Sequence, residues 1–263
     1  MPELPDVVGM KRYLDSTSLH QKITRTQIRD DRIVKGCSVQ MLYRRLHDAK
    51  MTRTVQHGKF LFADLSADGW LVLHFGMTGN LAYYARDEKP PEYTRMLIDF
   101  AGGGHLAYLS KRMLGRLGVT DDPQKYLDEN DVGPDALSDE VTVDRFVEAM
   151  SKRRGALKPA LMDQYLFSGL GNIYSDEALF QAGLHPRLEA ADLDTSQLRK
   201  LYKAMRKVLE AAAEEGGDIS RFGQWLVNHR GKGETCPRCG TEVKSISIAG
   251  RRGWFCPECQ RKS

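Results

Sequence analysis

No apolar run in this 263-residue sequence approaches the ~20 residues that a membrane-spanning helix needs, so no transmembrane helix is expected within it. The opening residues, MPELPDV, lack the basic-then-apolar plan of a secretory signal, which predicts a cytoplasmic protein. Cysteine is scarce: there are five, and all but Cys37 crowd the C-terminal end, so no disulfide framework runs through the body of the chain. Charge of one sign is not in large excess either. A net charge of +4 favours a polyanionic partner only weakly. What is present suffices for real cores, since 41% of residues are apolar, and the length allows one large domain or two ordinary ones.

The four clustered cysteines read Cys236-x2-Cys239-x16-Cys256-x2-Cys259. Two Cys-x-x-Cys knuckles at this separation suit tetrahedral structural zinc, one ion per chain. Two disulfides in a secreted protein would be the alternative, but the chain lacks a secretory signal and Cys37 would be left over. Between the knuckles, residues 241–255 read as two short strands, so a zinc-bound β-hairpin is expected, with Arg251 and Arg252 at its tip between Gly250 and Gly253. From Arg230 to Ser263 eight Lys or Arg face three Asp or Glu, and a stiffened hairpin with paired arginines suits nucleic acid.

Periodicity divides the rest. Pro5, Asp6, Val7, Met10 and Leu14 predict an N-terminal helix. Alternation at 60–65, the run Trp70–Leu73, and segments 80–85, 94–100 and 105–109 predict strands of a two-sheet β-sandwich. An acidic, Pro- and Gly-containing stretch follows, after which the period becomes helical: Phe146, Val147 and Met150 form one stripe, and Leu157, Leu161 and Tyr165 another. A long helix through Leu198, Leu201, Met205, Val208 and Ala212 opens at Thr195-Ser196. The expected fold is α+β: a helix and β-sandwich domain (1–120), a linker (121–140), a helical domain (141–229) and a zinc finger (230–263), with a ligand in the cleft between domains.

Two segments carry possible chemistry. In Gly169-Leu170-Gly171-Asn172-Ile173-Tyr174, glycines permit close backbone approach, and Asn172 opens a helix whose free amides could take a phosphate. An ordinary helical hairpin with an Asn cap fits the same residues. At the amino end, removal of Met1 would expose the secondary amine of Pro2 beside the carboxylate of Glu3. Such an amine can attack an anomeric carbon and form an iminium, with Glu3 moving protons. An ordinary capped terminus is the plain alternative.

Taken in order, these pieces resemble the formamidopyrimidine-DNA glycosylase / endonuclease VIII family over the whole chain. The matching stretches are Pro2-Glu3-Leu4-Pro5, His57-Gly58-Lys59-Phe60, and Leu73-His74-Phe75-Gly76-Met77-Thr78-Gly79. Gly133-Pro134, Leu157-Lys158-Pro159, Leu161-Met162-Asp163-Gln164, residues 169–179, Gly183-Leu184-His185-Pro186 and the four cysteines continue the match. Pro-Glu-Leu-Pro favours the formamidopyrimidine branch. The resemblance implies a helix-two-turn-helix domain before the zinc finger and a bifunctional glycosylase/lyase that removes oxidised purines from duplex DNA. It makes Pro2 the nucleophile and Glu3 the general acid/base, with Lys59 assisting from the strand that carries it. Arg251 and Asn172 would hold phosphates, with Lys158 and His74 in support. Met77 would fill the void of a flipped nucleotide, and Arg112 would face the orphaned base. Abasic-site DNA is a further expected substrate, the expected state is a monomer, and DNA binding would associate it with the nucleoid.

Three features depart from the family pattern. Asp6 replaces the usual Glu, Met113-Leu114 alters the end of the wedge loop, and residues 216–229 are shorter than the usual loop over the flipped base. An enzyme of the endonuclease VIII kind acting on oxidised pyrimidines, or a damaged-DNA-binding protein without chemistry, are the competing readings.

Overall fold

Helix α1 spans Leu4–Ser18 in the computed structural model, which describes residues 1–261. Leu4, Val7 and Leu14, spaced three and seven apart, are fully buried, and Asp6 lies in the first turn. The chain's contacts divide into two units. One contains residues 1–2 and 6–131; the other contains residues 3–5 and everything from Val132 onward.

The first unit continues with β1 (Ile23–Ile28), α2 (Val39–Leu46), β2 (Met51–His57), β3 (Phe60–Leu65), β4 (Trp70–His74), β5 (Gly79–Tyr84), β6 (Thr94–Phe100), β7 (His105–Ser110), β8 (Arg116–Thr120) and α3 (Pro123–Glu129). The strands form two antiparallel four-stranded sheets, in the orders β1-β6-β7-β5 and β2-β3-β4-β8. Their shared core includes Leu61, Ala63, Leu65, Leu71, Leu73, Ile98, Leu106 and Tyr108. The α+β sandwich expected from alternation is therefore present. β1 and β2 escaped the sequence reading because they are edge strands, each with one fully buried residue and several polar ones.

Residues 121–140, expected as a linker, contain α3, capped by Asp122 and opened by Pro123. Its Tyr126 sets its ring edge-on to Phe60 and Phe62, each at 5.9 Å. That contact covers the outer face of β3, which explains why this strand is buried on both sides.

In the second unit, α4 (Val143–Ser151), α5 (Leu157–Leu161), α6 (Asn172–Ala182) and α7 (Thr195–Glu214) precede β9 (Lys244–Ile248) and β10 (Arg251–Phe255). The stripe through Leu157 and Leu161 ends with α5; Tyr165 lies beyond it and is 68% exposed. Helix α7 is capped by Asp194, one residue before the expected start, through a capping box with Gln197. Helix α6 is the central element, buried from Tyr174 through Phe180. Strands β9 and β10 pair across a turn at Ala249-Gly250, both in the left-handed region, so Arg251 and Arg252 begin a strand rather than form the turn. Among the described residues no helix is long and apolar enough to cross a membrane.

In the first unit, the β4–β5 turn and the β7–β8 loop are held together. Gly76 has φ +57°, and a Cβ there would overlap the Leu114 carbonyl. Arg112 N donates to Thr78 Oγ1 at 3.1 Å, and Tyr108 Oη donates to the His74 carbonyl at 2.8 Å. Gly76→Ala should therefore lower the unfolding free energy by at least about 1 kcal/mol, read as a lower denaturant midpoint. An unchanged midpoint would mean that the two loops yield freely.

Candidate functional site

The Gly169–Tyr174 segment does bring backbone close to an anion, and that anion is the protein's own Glu3. This carboxylate is fully buried. Gly171 N donates to Oε2 at 2.6 Å, Ile173 N to Oε1 at 2.8 Å and Tyr174 N to Oε2 at 3.3 Å. The positive end of α6 and its otherwise orphaned amides thus hold a negative charge, as helix N-termini favour. Gly171 is required here, because a Cβ would lie 2.5 Å from the Glu3 carboxyl. Leu4 N donates to Gly169 O at 3.0 Å, which fixes the chain on the far side of Glu3. The expectation that these amides are free for a phosphate is corrected: three of them are taken.

One turn further along α6, Asp176 collects two cations. Lys158, only 1% exposed, ion-pairs with Asp176 Oδ1 and donates to Asn172 O at 3.2 Å. Arg230 Nη2 lies 3.1 Å from Asp176 Oδ2, which also accepts from Trp254 N at 3.1 Å. Burial pushes the Asp176 pKa up and the Lys158 pKa down, while their mutual attraction and Arg230 act against the Asp176 shift. Asn172 Nδ2 donates to Arg252 O at 3.0 Å, so α6 grips β10 at two points. Lys158 is neither a solvated charge nor presented outward; it is a buried positioning group behind Asn172. Arg251 and Arg252 are exposed on β10.

The remaining expected residues lie in the first unit or at the chain start. Lys59 sits in the two-residue turn joining β2 and β3, not within a strand, and is partly buried. His74, on β4, packs its ring 4.8 Å from Phe60. Burial, with Arg116 and Lys59 nearby, lowers its pKa to about 4, so at neutral pH it carries no charge for a phosphate. Its Nδ1 is buried with no hydrogen-bond partner among the described residues. Met77 and Leu114 are exposed at 38% and 49%, on the two loops joined through Gly76, with Arg112 exposed beside them. Pro2 is partly buried and groups with the first unit, while Glu3 groups with the second.

The four cysteines converge. Their sulfurs all lie within 4.8 Å of one another, with Cys236–Cys259 at 3.9 Å and Cys239–Cys256 at 3.4 Å. Tetrahedral zinc with bonds of ~2.3 Å puts sulfurs about 3.8 Å apart, far longer than a disulfide. The donor set fits one structural zinc, and Cys236 and Cys256 pack with Phe180 of α6.

Residues 216–229 fold onto the helical unit. Phe222 and Trp225 stack at 4.0 Å, and Asn228 Nδ2 donates to the carbonyls of Ile219 and Phe222, both at 2.8 Å. Val227 N donates to the buried Glu177 at 3.0 Å. Asp176, Glu177 and Arg230 escaped the sequence reading. For the two acids the signal was the polar group Ser175-Asp176-Glu177 between the apolar residues of 173–180; for Arg230 there was none.

Comparison with known proteins accounts for this arrangement. The Formamidopyrimidine-DNA glycosylase N-terminal domain matches residues 1–117, the Formamidopyrimidine-DNA glycosylase H2TH domain residues 132–224, and the zinc finger found in FPG and IleRS residues 233–261. The formamidopyrimidine-DNA glycosylase of Enterococcus faecalis is 32% identical, covering 99% of this chain and 98% of its own. That of Acaryochloris marina is 31% identical over 100% of both. The Lactococcus lactis protein solved with abasic-site DNA has a TM-score of 0.90 at 31% identity, covering 99% of this chain and 100% of its own. Wild-type L. lactis protein with N7-benzyl-Fapy-dG DNA gives 0.90 at 28% and the same coverage. Sandwich, H2TH helices and four-cysteine hairpin together define a DNA glycosylase of base excision repair. More narrowly, the chain belongs to the formamidopyrimidine-DNA glycosylase family.

Two outcomes follow from this geometry. Asp176→Asn leaves Lys158 and Arg230 buried without a counter-charge and should cost about 3–5 kcal/mol in denaturant unfolding. Zinc content of the folded protein should be unchanged, and a variant as stable as the parent would remove Asp176 from its bracing role. His74 acts through pH. The unfolded ring takes its proton near pH 6.5 and the folded ring only near 4, so the stability it contributes is whole above 6.5 and is lost as pH falls towards 4. His74→Gln should remove on the order of 2–3 kcal/mol of that acid sensitivity, read from unfolding curves across the window.

Proposed function

We propose that the chain is a bifunctional glycosylase/lyase whose nucleophile is the Pro2 nitrogen after removal of Met1. The observation that carries this reading is Glu3, a fully buried carboxylate held by three backbone amides and adjacent in sequence to that nitrogen. A general acid/base must sit within hydrogen-bond reach of its proton, and rigid placement improves it.

The Pro2 lone pair attacks C1′ of a damaged nucleotide, and the C1′–base bond breaks, its electrons leaving with the base, which takes up a proton. Glu3, a carboxylate at the outset, takes the proton that the Pro2 nitrogen sheds on bonding to C1′ and delivers it to O4′ as the sugar ring opens, leaving an iminium between Pro2 and C1′. Loss of a C2′ proton then expels the 3′ phosphate, and a second elimination expels the 5′ phosphate. The substrate is duplex DNA bearing an oxidised purine or an abasic site, in keeping with the damaged-base and abasic-site DNA bound to the L. lactis relatives.

Lys59 supports the reacting sugar or its phosphate. Arg251 holds a phosphate together with Asn172, whose second amide hydrogen remains after its bond to Arg252 O. His74 contributes a neutral ring N–H rather than a charge. Met77 and Leu114 are the wedge that fills the stack behind the extruded nucleotide, and Arg112 faces the base left behind. The protein works as a monomer in the cytoplasm, associated with the nucleoid through its substrate.

Borohydride reduction in the presence of abasic-site duplex should give a covalent protein–DNA adduct with protein that begins at Pro2. Protein retaining Met1, identified by mass spectrometry, and Pro2→Gly with its altered amine should give little or none. Equal trapping with Met1 retained would exclude Pro2 as the nucleophile. A panel of duplexes carrying single oxidised purines or pyrimidines, scored by nicking, should favour the purines.

A further inference from the structure

We propose that the second unit carries a small-molecule site between α7, the 216–229 segment and the first zinc knuckle, and that its ligand is a planar aromatic ring bearing one anionic group. The cavity there measures about 410 Å³, within the range of ligand pockets. Its α7 side is made by Ala204, Val208 and Ala211, which share one face of the helix, and its other apolar side by Phe222 and Trp225. Those two rings are stacked, with centroids 4.0 Å apart and an interplanar angle of 10°. Small side chains opposite a stacked aromatic pair leave space that a further flat ring can fill.

The charge of the lining selects among aromatic ligands. Among the described residues it includes two cations, Lys207 and Arg238, two carboxamides, Gln181 and Gln224, and no carboxylate. Lys207 is exposed and has no acidic partner among the described residues. Arg238 is held in place: its guanidinium lies 4.3 Å from the centre of the Phe180 ring, Nη1 donates to Phe180 O at 3.3 Å, and Nη2 donates to Gln181 Oε1 at 3.1 Å. Neither acceptor is an acid, and N–H groups of the guanidinium remain for a ligand. Gln181 is itself fixed, donating from Nε2 to Glu177 Oε1 at 2.6 Å. A preorganised guanidinium and an unpaired ammonium beside an apolar slot favour a ring that brings its own negative charge. The site stands apart from the proposed reaction, since Gln181 lies eight residues along α6 from Ile173, about 12 Å from the turn that seats Glu3.

Isothermal titration calorimetry of the zinc-containing full chain, without DNA, tests the site with 2-naphthoate and with 2′-deoxyguanosine 5′-monophosphate, two bicyclic anions. At least one should bind with a stoichiometry of one, and which of them binds tells an aromatic carboxylate site from a purine nucleotide site. The neutral counterpart of the one that binds, 2-naphthamide or deoxyguanosine, should bind at least about tenfold more weakly. Ala211→Leu fills the cavity without changing a charge and should abolish binding, with parental circular dichroism, zinc content and denaturant midpoint. Lys207→Glu, an exposed substitution on α7, should weaken binding at least about tenfold and keep the fold. Failure of both compounds to bind at millimolar concentration would overturn the site. So would binding that Ala211→Leu and Lys207→Glu both leave at the parental affinity, because the compound would then sit elsewhere.

Discussion

The seating of Glu3 on the first turn of α6 is the constraint on which the rest depends. A buried carboxylate is costly unless its charge is met, and here three backbone amides and the helix dipole meet it. The same helix then commits two further buried acids to other parts of the second unit. Asp176 holds β10 through Trp254 N and the two cations, and Glu177 holds Val227. Burial raises Glu177 to about 7, so this acid titrates close to neutrality. One helix of eleven residues thereby organises the chain start, the hairpin and the 216–229 segment.

This use of charge separates positioning from contact. Lys158 and Arg230 are spent on Asp176 and cannot leave it without exposing an unpaired buried charge. Arg251, Arg252 and Arg154 lie exposed, with no carboxylate partner among the described residues. The modest net charge of +4 is therefore a poor guide to the local potential, because Lys158 and Arg230 are already paired while Arg154 and Arg251 line one cavity beside the hairpin without a carboxylate partner.

The sequence reading reached the elements whose side chains alternate or repeat strongly. Strands β3 to β7, α1, α7 and the cysteine hairpin all carry a dense apolar or metal-binding pattern. It missed β1 and β2, whose edge positions leave them mostly polar, and it gave 121–140 no helix although Tyr126 covers β3. At the site, residue types were legible from motif order, but partners were not. Nothing local says that Gly171 accommodates Glu3, 168 positions away, or that Lys158 points inward to Asp176. Those facts are made by tertiary packing, which brings together residues with no periodic relation.

Joining Glu3 to Gly171 also imposes an order on biogenesis. The amino end leaves the ribosome first, yet the amides that receive it are made 168 residues later. At roughly 5–20 residues per second the nascent terminus waits on the order of 10–30 s before it can dock. Throughout that interval it is open to the enzymes that trim an initiator methionine, unhindered by any docked partner.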